Sequence, residues 1–179
     1  MKLWQKILVG IGVLVLAFLG VAMTQPDTFK VERSTEIAAP AEKSYALVAD
    51  FHEWAKWSPW EKLDASMKKT FSGAPTGVGQ VYEWEGNKDV GKGRMTLTAA
   101  DPGKLVGIKL EFLEPFAANN ALRFEFAAAG DRTTVHWIME GESKGLLIKA
   151  MHLVMPMDSM VGGDFERGLA AMKTAAEGK

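Results

Sequence analysis

The stretch "DFHEWAKWSPWEKLD", residues 50–64, places three aromatic rings at intervals of three and holds half of the chain's six tryptophans. We refer to it as the tryptophan segment. Trp54 and Trp57, at positions i and i+3, share one face of a helical turn, whereas Ser58-Pro59 ends that turn and directs Trp60 separately. Rings in this arrangement either contact a ligand or form an aromatic part of the core. The segment alone leaves both alternatives open.

The N-terminal side of the chain carries a long apolar run. The stretch "ILVGIGVLVLAFLGVAM", residues 7–23, has no charged residue and reaches the lower edge of the roughly 20 residues that span a bilayer. Lys2 and Lys6 precede it, so the positive-inside rule predicts a cytoplasmic N-terminus and an exported remainder, in a bacterial periplasm or at the cell exterior. The run therefore favours a single-pass membrane anchor.

Two other interpretations of this run stay open. A signal peptide could be cut after Ala22, although its apolar region usually runs for about 7–15 residues and this one is longer. A core helix is also conceivable, but a helix that is apolar all round is hard to cover in a small domain. We predict an anchor (or signal peptide) in residues 1–25 and one folded domain in residues 26–179.

Composition limits the classes of function. The chain has 179 residues, 47% of them hydrophobic, which suits one domain and an appendage. A formal net charge of −1 provides no field that would favour nucleic acid, so no nucleic-acid partner is expected. The absence of cysteine excludes disulfides, a thiol nucleophile and thiolate zinc sites. We expect neither a metal nor a cofactor.

Beyond the anchor, the pattern predicts a strand, short helices, about six antiparallel strands and a long helix. Residues 29–40 alternate as a first strand, and a helix from Pro40 ends near Asp50. From residue 67 onward, alternating apolar runs are separated by glycine-rich turns. The helical C-terminus is broken at Pro156, and the next helix is predicted to begin with an N-cap at Asp158 or Ser159.

No sequence motif identifies catalytic chemistry. None of the serines lies in a G-x-S-x-G motif, and the three histidines have no carboxylate partner at motif spacing. No H-E-x-x-H pair occurs, and the glycines near Lys92 fit a hairpin turn better than a phosphate loop. Strand alternation directs no carboxylate clearly inward, so a buried acid or base is not evident.

Several motifs, in order, carry a family resemblance. "DFHEWAKWSPW" after the first helix, "GVGQVYEWEGNKDVGKGRM", "LEPF" and "MVGGDFERGL" together resemble the START-like (SRPBCC) superfamily, and most closely its polyketide cyclase/dehydrase branch. The resemblance implies an α+β helix-grip fold, in which a curved antiparallel sheet wraps round a long C-terminal helix and leaves a deep apolar cavity. It places the tryptophan segment at the mouth of that grip, as a structural plug in which Trp57 and Trp60 are nearest to a ligand.

Members of this superfamily bind lipids, sterols, polyketides or other hydrophobic molecules, and only some are enzymes. We therefore predict membrane-anchored, non-catalytic binding of a hydrophobic small molecule or lipid. The alternatives are a polyketide cyclase/dehydrase-like enzyme and a protein-interaction module, which would present an exposed apolar patch. A cavity of roughly 300 Å³ or more would support binding, and a filled core would exclude it. The residues expected to line the cavity are Trp57, Trp60, Tyr82, Trp84, Met95, Leu110, Phe112, Asn120, Phe124, Trp137, Met155 and Phe165.

Overall fold

The computed structural model describes residues 2–178 as one apolar helix followed by an α+β domain. The first helix, α1 (Leu3–Met23), is the one helix of the described chain that is long and apolar enough to cross a membrane. It is exposed along almost its whole length, and Ala22, near its C-terminal end, is buried. α1 therefore makes little contribution to the core of the domain.

Seven antiparallel strands form one sheet in the order β1-β7-β6-β5-β4-β3-β2, and two helices follow the last strand. The predicted α+β arrangement is confirmed, including the six strands that follow the short helices. The strands are β1 (Thr28–Ile37), β2 (Lys68–Gly73), β3 (Gln80–Glu85), β4 (Lys92–Asp101), β5 (Leu105–Glu114), β6 (Ala118–Ala129) and β7 (Arg132–Glu142). The remaining helices are α2 (Ala41–Ala49), two 3-10 helices in the tryptophan segment (Phe51–Lys56 and Pro59–Lys62), α3 (Leu146–Val154) and α4 (Met157–Glu177).

The helix α4 covers the inner face of the sheet. Its residues Phe165, Leu169 and Met172 are buried against the strands, at helical spacings that place them on one face. α4 begins at Met157 with Pro156 as its N-cap, two or three residues earlier than the sequence predicted. The proline already has a backbone conformation suited to that position. Asp158 instead lies in the first turn.

The N-terminal half of α4 is held to the edge strand β1 by Arg33. The guanidinium group donates to both carboxylate oxygens of Asp158, at 2.7 and 2.9 Å, and to Glu166 at 2.8 Å. Gly162 lets the guanidinium lie against the helix, because a Cβ there would come within 2.3 Å of an Arg33 nitrogen. This contact fixes α4 across the open edge of the sheet.

A stack of three aromatic rings joins the sheet to α4. Trp137 of β7 lies parallel to Phe165 of α4, with ring centroids 4.0 Å apart, and stacks on Phe124 of β6 at 5.0 Å. Trp57 packs edge-on against Trp137 at 5.3 Å. The indole N–H groups of Trp54 and Trp57 donate to carbonyl oxygens at the end of α2, at 3.1 and 2.8 Å. The tryptophan segment is therefore continuous with the core.

The register of the strands gives the sheet two distinct ends. Thr28 pairs with Glu142, and Gly141 pairs with Asn120, so the start of β1, the end of β7 and the start of β6 lie together. The end of β5 and the β3–β4 turn belong to the same end, since Phe112 pairs with Gly93. We call this the α3 end of the sheet, because α3 follows β7 there.

The stack predicts opposite effects of the same substitution at two glycines of α4. A Cβ on Gly168 would lie 2.7 Å from Trp137, which is held between Phe124 and Phe165 and cannot move away. We expect G168A to lower the free energy of unfolding by about 1–3 kcal/mol, as overpacking does. Gly163 is exposed and its Cβ would make only ordinary contact, so G163A should stabilise by up to about 1 kcal/mol.

Denaturant unfolding of the two variants in detergent, followed by tryptophan fluorescence, measures both changes. Equal effects of G168A and G163A would contradict the proposed rigidity of the stack.

Candidate ligand-binding cavity

A cavity lies between the inner face of the sheet, the tryptophan segment and α4. Its volume is about 90 Å³, and its wall is almost entirely apolar. This is less than the roughly 300–1,000 Å³ of sites that enclose drug-sized ligands, but the core is not completely filled. The lining residues are Trp54, Ser58, Trp60, Glu61, Met67, Tyr82, Trp84, Val90, Met95, Leu110, Phe112, Leu122, Trp137, Met139 and Phe165.

Most of the residues expected from the sequence lie in this wall. Those on strands reach it because alternate side chains of a strand point to the same face of a sheet. Trp60 reaches it from the second 3-10 helix, and Phe165 from α4. The expected residues that line the cavity are Trp60, Tyr82, Trp84, Met95, Leu110, Phe112, Trp137 and Phe165.

Four of the expected residues lie elsewhere. Trp57 and Phe124 are fully buried behind the wall, where both contact Trp137 and support it. Asn120 is buried at the start of β6 and packs against Gly141 of the neighbouring strand. Met155 is 55% exposed, because it lies at the C-cap of α3, where the chain leaves that helix before Pro156.

The C-terminal methionines do not form a cavity wall. Met151 of α3 and Met160 of α4 are 56% and 50% exposed. The methionines that line the cavity are instead Met67, which directly precedes β2, Met95 of β4 and Met139 of β7. Unbranched thioether side chains adapt readily to a ligand, so these three methionines make the cavity wall adaptable.

An inward carboxylate is the main feature that the sequence analysis missed. The side chain of Glu61 is only 8% exposed and lines the cavity. The Tyr82 hydroxyl donates to it at 2.6 Å, and Lys69 of β2 forms an ion pair with it. Strand alternation could not find Glu61, since this residue lies on a 3-10 helix, and no other signal in the tryptophan segment distinguishes it from the exposed Lys62 beside it.

The Glu61–Tyr82 pair keeps the phenol protonated. Burial raises the pKa of Tyr82 well above its usual range, and the hydrogen bond to Glu61 raises it further. Tyr82 therefore remains a neutral donor at physiological pH. Its proton is already directed to Glu61, so the hydroxyl oxygen is left to accept a hydrogen bond from a molecule in the cavity.

The other polar groups of the wall differ in whether they have a partner. The Trp84 indole N–H donates to the Val90 carbonyl at 2.9 Å and closes the β3–β4 turn. The Trp137 indole nitrogen is buried, and it has no hydrogen-bond partner in the part of the chain that the structure describes. A buried donor without a partner carries a free-energy cost that an acceptor on a ligand would remove.

Among residues 2–178, no group of three or more histidine, aspartate or glutamate side chains is placed to hold a metal ion.

Solved structures with the same fold come from several organisms. A solution structure from Thermobifida fusca is 23% identical, with a TM-score of 0.59, over 80% of this chain and 90% of that one. The Zhui aromatase/cyclase from Streptomyces sp. R1128 is 16% identical, with a TM-score of 0.58, over 84% and 94%. Truncated norcoclaurine synthase from Thalictrum flavum is 13% identical, with a TM-score of 0.64, over 84% and 96%.

These identities establish a shared fold and carry no further information on activity. No curated protein sequence matches this chain significantly. The family assignment rests on the sequence itself, since residues 28–177 match the family described as "Polyketide cyclase / dehydrase and lipid transport", and the chain therefore belongs to that family.

Proposed function

We propose that this protein is a single-pass membrane protein whose exported domain, residues 26–179, binds a hydrophobic small molecule or lipid without transforming it. The observation that carries the proposal is the apolar cavity whose wall includes Trp137, a residue with a buried indole N–H that has no hydrogen-bond partner among residues 2–178. An apolar wall with one or a few polar groups is the usual composition of a small-molecule site. The donor would orient a ligand that has an apolar body and an oxygen acceptor.

The relatives support this class of ligand. The family description includes lipid transport as well as cyclase and dehydrase chemistry. Two structural neighbours are an aromatase/cyclase and norcoclaurine synthase, so this fold holds organic molecules in other proteins. The apolar wall of the cavity in this chain agrees with a ligand of that kind.

The volume of the cavity limits what enters without rearrangement. About 90 Å³ accommodates the end of an acyl chain or part of a small ring, and a larger ligand needs space from the wall. Met67, Met95 and Met139 can supply it by changing rotamers at low cost. We expect the cavity to widen on binding, with the aromatic stack as its fixed side.

The proposed anchor comprises residues 1–25. α1 is long and apolar enough to cross a bilayer, and its side chains are not needed in the core. Lys2 and Lys6 ahead of it favour a cytoplasmic N-terminus. A domain tethered in this way receives poorly soluble molecules from the bilayer without passage through water.

A second candidate function is catalysis of the cyclase/dehydrase kind, and Glu61 favours it. A carboxylate in an apolar cavity can accept a proton from a bound molecule, and the Tyr82 oxygen can accept a hydrogen bond from a hydroxyl group of that molecule. Against this, Glu61 already forms an ion pair with Lys69, which is the arrangement expected of a structural carboxylate. Binding without turnover therefore remains the primary proposal.

Filling the cavity should abolish binding. Leu110 lines the cavity from β5, whereas its neighbour Lys109 is exposed on the outer face of the same strand. We expect L110W to occupy the space with its indole ring and K109W to have no effect on binding. Native mass spectrometry of each protein, extracted from its own membranes, measures the ligand that it retains.

The wild type and K109W should carry the same bound molecule, and L110W should be empty while still folded by circular dichroism. Recovery of ligand-free wild type, with no thermal shift from any added lipid, would count against the proposal.

The variant E61Q distinguishes binding from catalysis. Glutamine retains the acceptor for Tyr82 but cannot take a proton. With 1-aminoanthracene as an apolar binding probe, we therefore expect the affinity of E61Q to differ from that of the wild type by less than about threefold. E85Q, on the exposed end of β3, makes the same charge change away from the cavity. Incubation of the co-purified ligand with each protein, followed by mass analysis, should show no product with any of them.

Product formation by the wild type and E85Q, reduced in E61Q by about 10²–10⁴-fold, would replace the binding proposal with the enzymatic one.

A further inference from the structure

The helix α3 presents an apolar face to the outside of the domain. None of its residues is fully buried, and its large side chains recur at i, i+1, i+4, i+7 and i+8, which places them on one side of a helix. These exposed residues, with the exposed fraction of each, are Leu147 (79%), Ile148 (42%), Met151 (56%), Val154 (69%) and Met155 (55%).

The opposite side of α3 is attached to the domain by polar contacts. Lys149 forms an ion pair with Asp27 at 2.7 Å, and its side chain is only 14% exposed. His152 is hydrogen-bonded to Ser143 at 2.7 Å and packs edge-on against Phe29 at 5.6 Å. This is the reverse of an amphipathic helix on a water-soluble protein, which buries its apolar side. An exposed apolar face of this kind marks a surface that contacts something else.

The position of α1 indicates what covers this face. α1 packs against α3, and its buried Ala22 lies near the end of the helix from which the domain follows. Only residues 24–27 separate α1 from β1. A four-residue connection spans at most about 14 Å, so the α3 end of the sheet must lie close to the end of α1. Because α3 packs against α1, the exposed apolar side chains of α3 lie close to those of α1.

Other features of the α3 end agree with contact to lipid. Phe116, in the β5–β6 turn, is 82% exposed at the same end of the sheet. Phe112 and Met139 of the cavity wall also belong to this end. The cavity therefore lies toward the end of the domain that α1 holds at the bilayer.

We propose that the apolar face of α3 is embedded in the interfacial layer of the bilayer, so that the α3 end of the sheet is docked on the membrane and the cavity exchanges its ligand directly with lipid. The proposal rests on the proposed anchor but is not implied by it, because a tethered domain could equally stand clear of the surface. Interfacial helices bury their apolar side about 5–10 Å into the bilayer.

Depth-dependent quenching tests the docking. The chain has no cysteine, so single-cysteine variants of the full-length protein can each carry one environment-sensitive NBD fluorophore. L147C reports on α3 and F116C on the β5–β6 turn. L14C reports on the centre of α1, and K104C, in the β4–β5 turn at the other end of the sheet, is the matched control. Each protein is reconstituted into phosphatidylcholine vesicles with and without lipids brominated on the upper acyl chain, and L14C also with lipids brominated near the end of the acyl chain.

We expect bromolipid to quench L147C and F116C at least about threefold more than K104C, as required for labels at interfacial depth. If the L14C label is quenched but the L147C and F116C labels are quenched no more than the K104C label, the docking is overturned and the anchor stays intact. Absence of quenching at L14C would overturn the anchor, and the docking with it. If the NBD emission of L147C reports an apolar environment but bromolipid does not quench it, protein covers the apolar face of α3. This outcome also overturns the proposal.

A charged variant provides an independent check. L147E/V154E places two carboxylates on the outward face of α3, where they remove no buried contact. We expect the quenching of an F116C label in this background to fall to the level of K104C, while L14C is unchanged. Unaltered quenching of F116C would show that α3 does not hold the α3 end on the bilayer.

Discussion

The stack of Phe124, Trp137 and Phe165 is the contact on which the rest of the domain depends. It joins the neighbouring strands β6 and β7 to the helix that covers the sheet, with ring centroids 4.0 and 5.0 Å apart, and its Trp137 and Phe165 line the cavity. Parallel rings at these distances gain both buried area and favourable stacking. A helix that covers a curved sheet tends to fill the space beneath it. Here a rigid aromatic stack takes up one side of that space, and the remaining volume persists as a cavity on the other.

Strand alternation was the most informative signal in the sequence, since a period of two is imposed by the backbone itself. It pointed to inward residues of β3, β4, β5 and β7, and six of these strand residues are among the fifteen that line the cavity. Alternation carries no information outside strands. Glu61 lies on a 3-10 helix whose direction is decided by tertiary packing, and Met155 lies at a helix end. Met155 was expected to face the cavity, because the sequence does not distinguish a surface that faces the core from one that faces something outside the protein.

The polar groups of the cavity wall divide into those that hold the wall together and one, the Trp137 indole N–H, for which residues 2–178 provide no partner. Trp84 closes the β3–β4 turn, and Tyr82 connects β3 to the tryptophan segment through Glu61. Both groups are fixed by partners within the chain. Trp137 is different, because the aromatic stack immobilises its ring while its indole N–H has no hydrogen-bond partner in the described part of the chain. A donor held in place by stacking is already oriented before a ligand arrives, which lowers the entropic cost of recognition.

The short connection between α1 and β1 bears on transport. With α1 in a bilayer, four residues cannot carry the domain across the gap between two membranes, since each residue adds at most about 3.6 Å. The protein is then unsuited to act as a shuttle. A short tether instead makes each encounter with the surrounding lipid intramolecular, at an effective concentration on the order of millimolar. A hydrophobic ligand of even modest affinity would be captured under such conditions from the patch of membrane around the anchor.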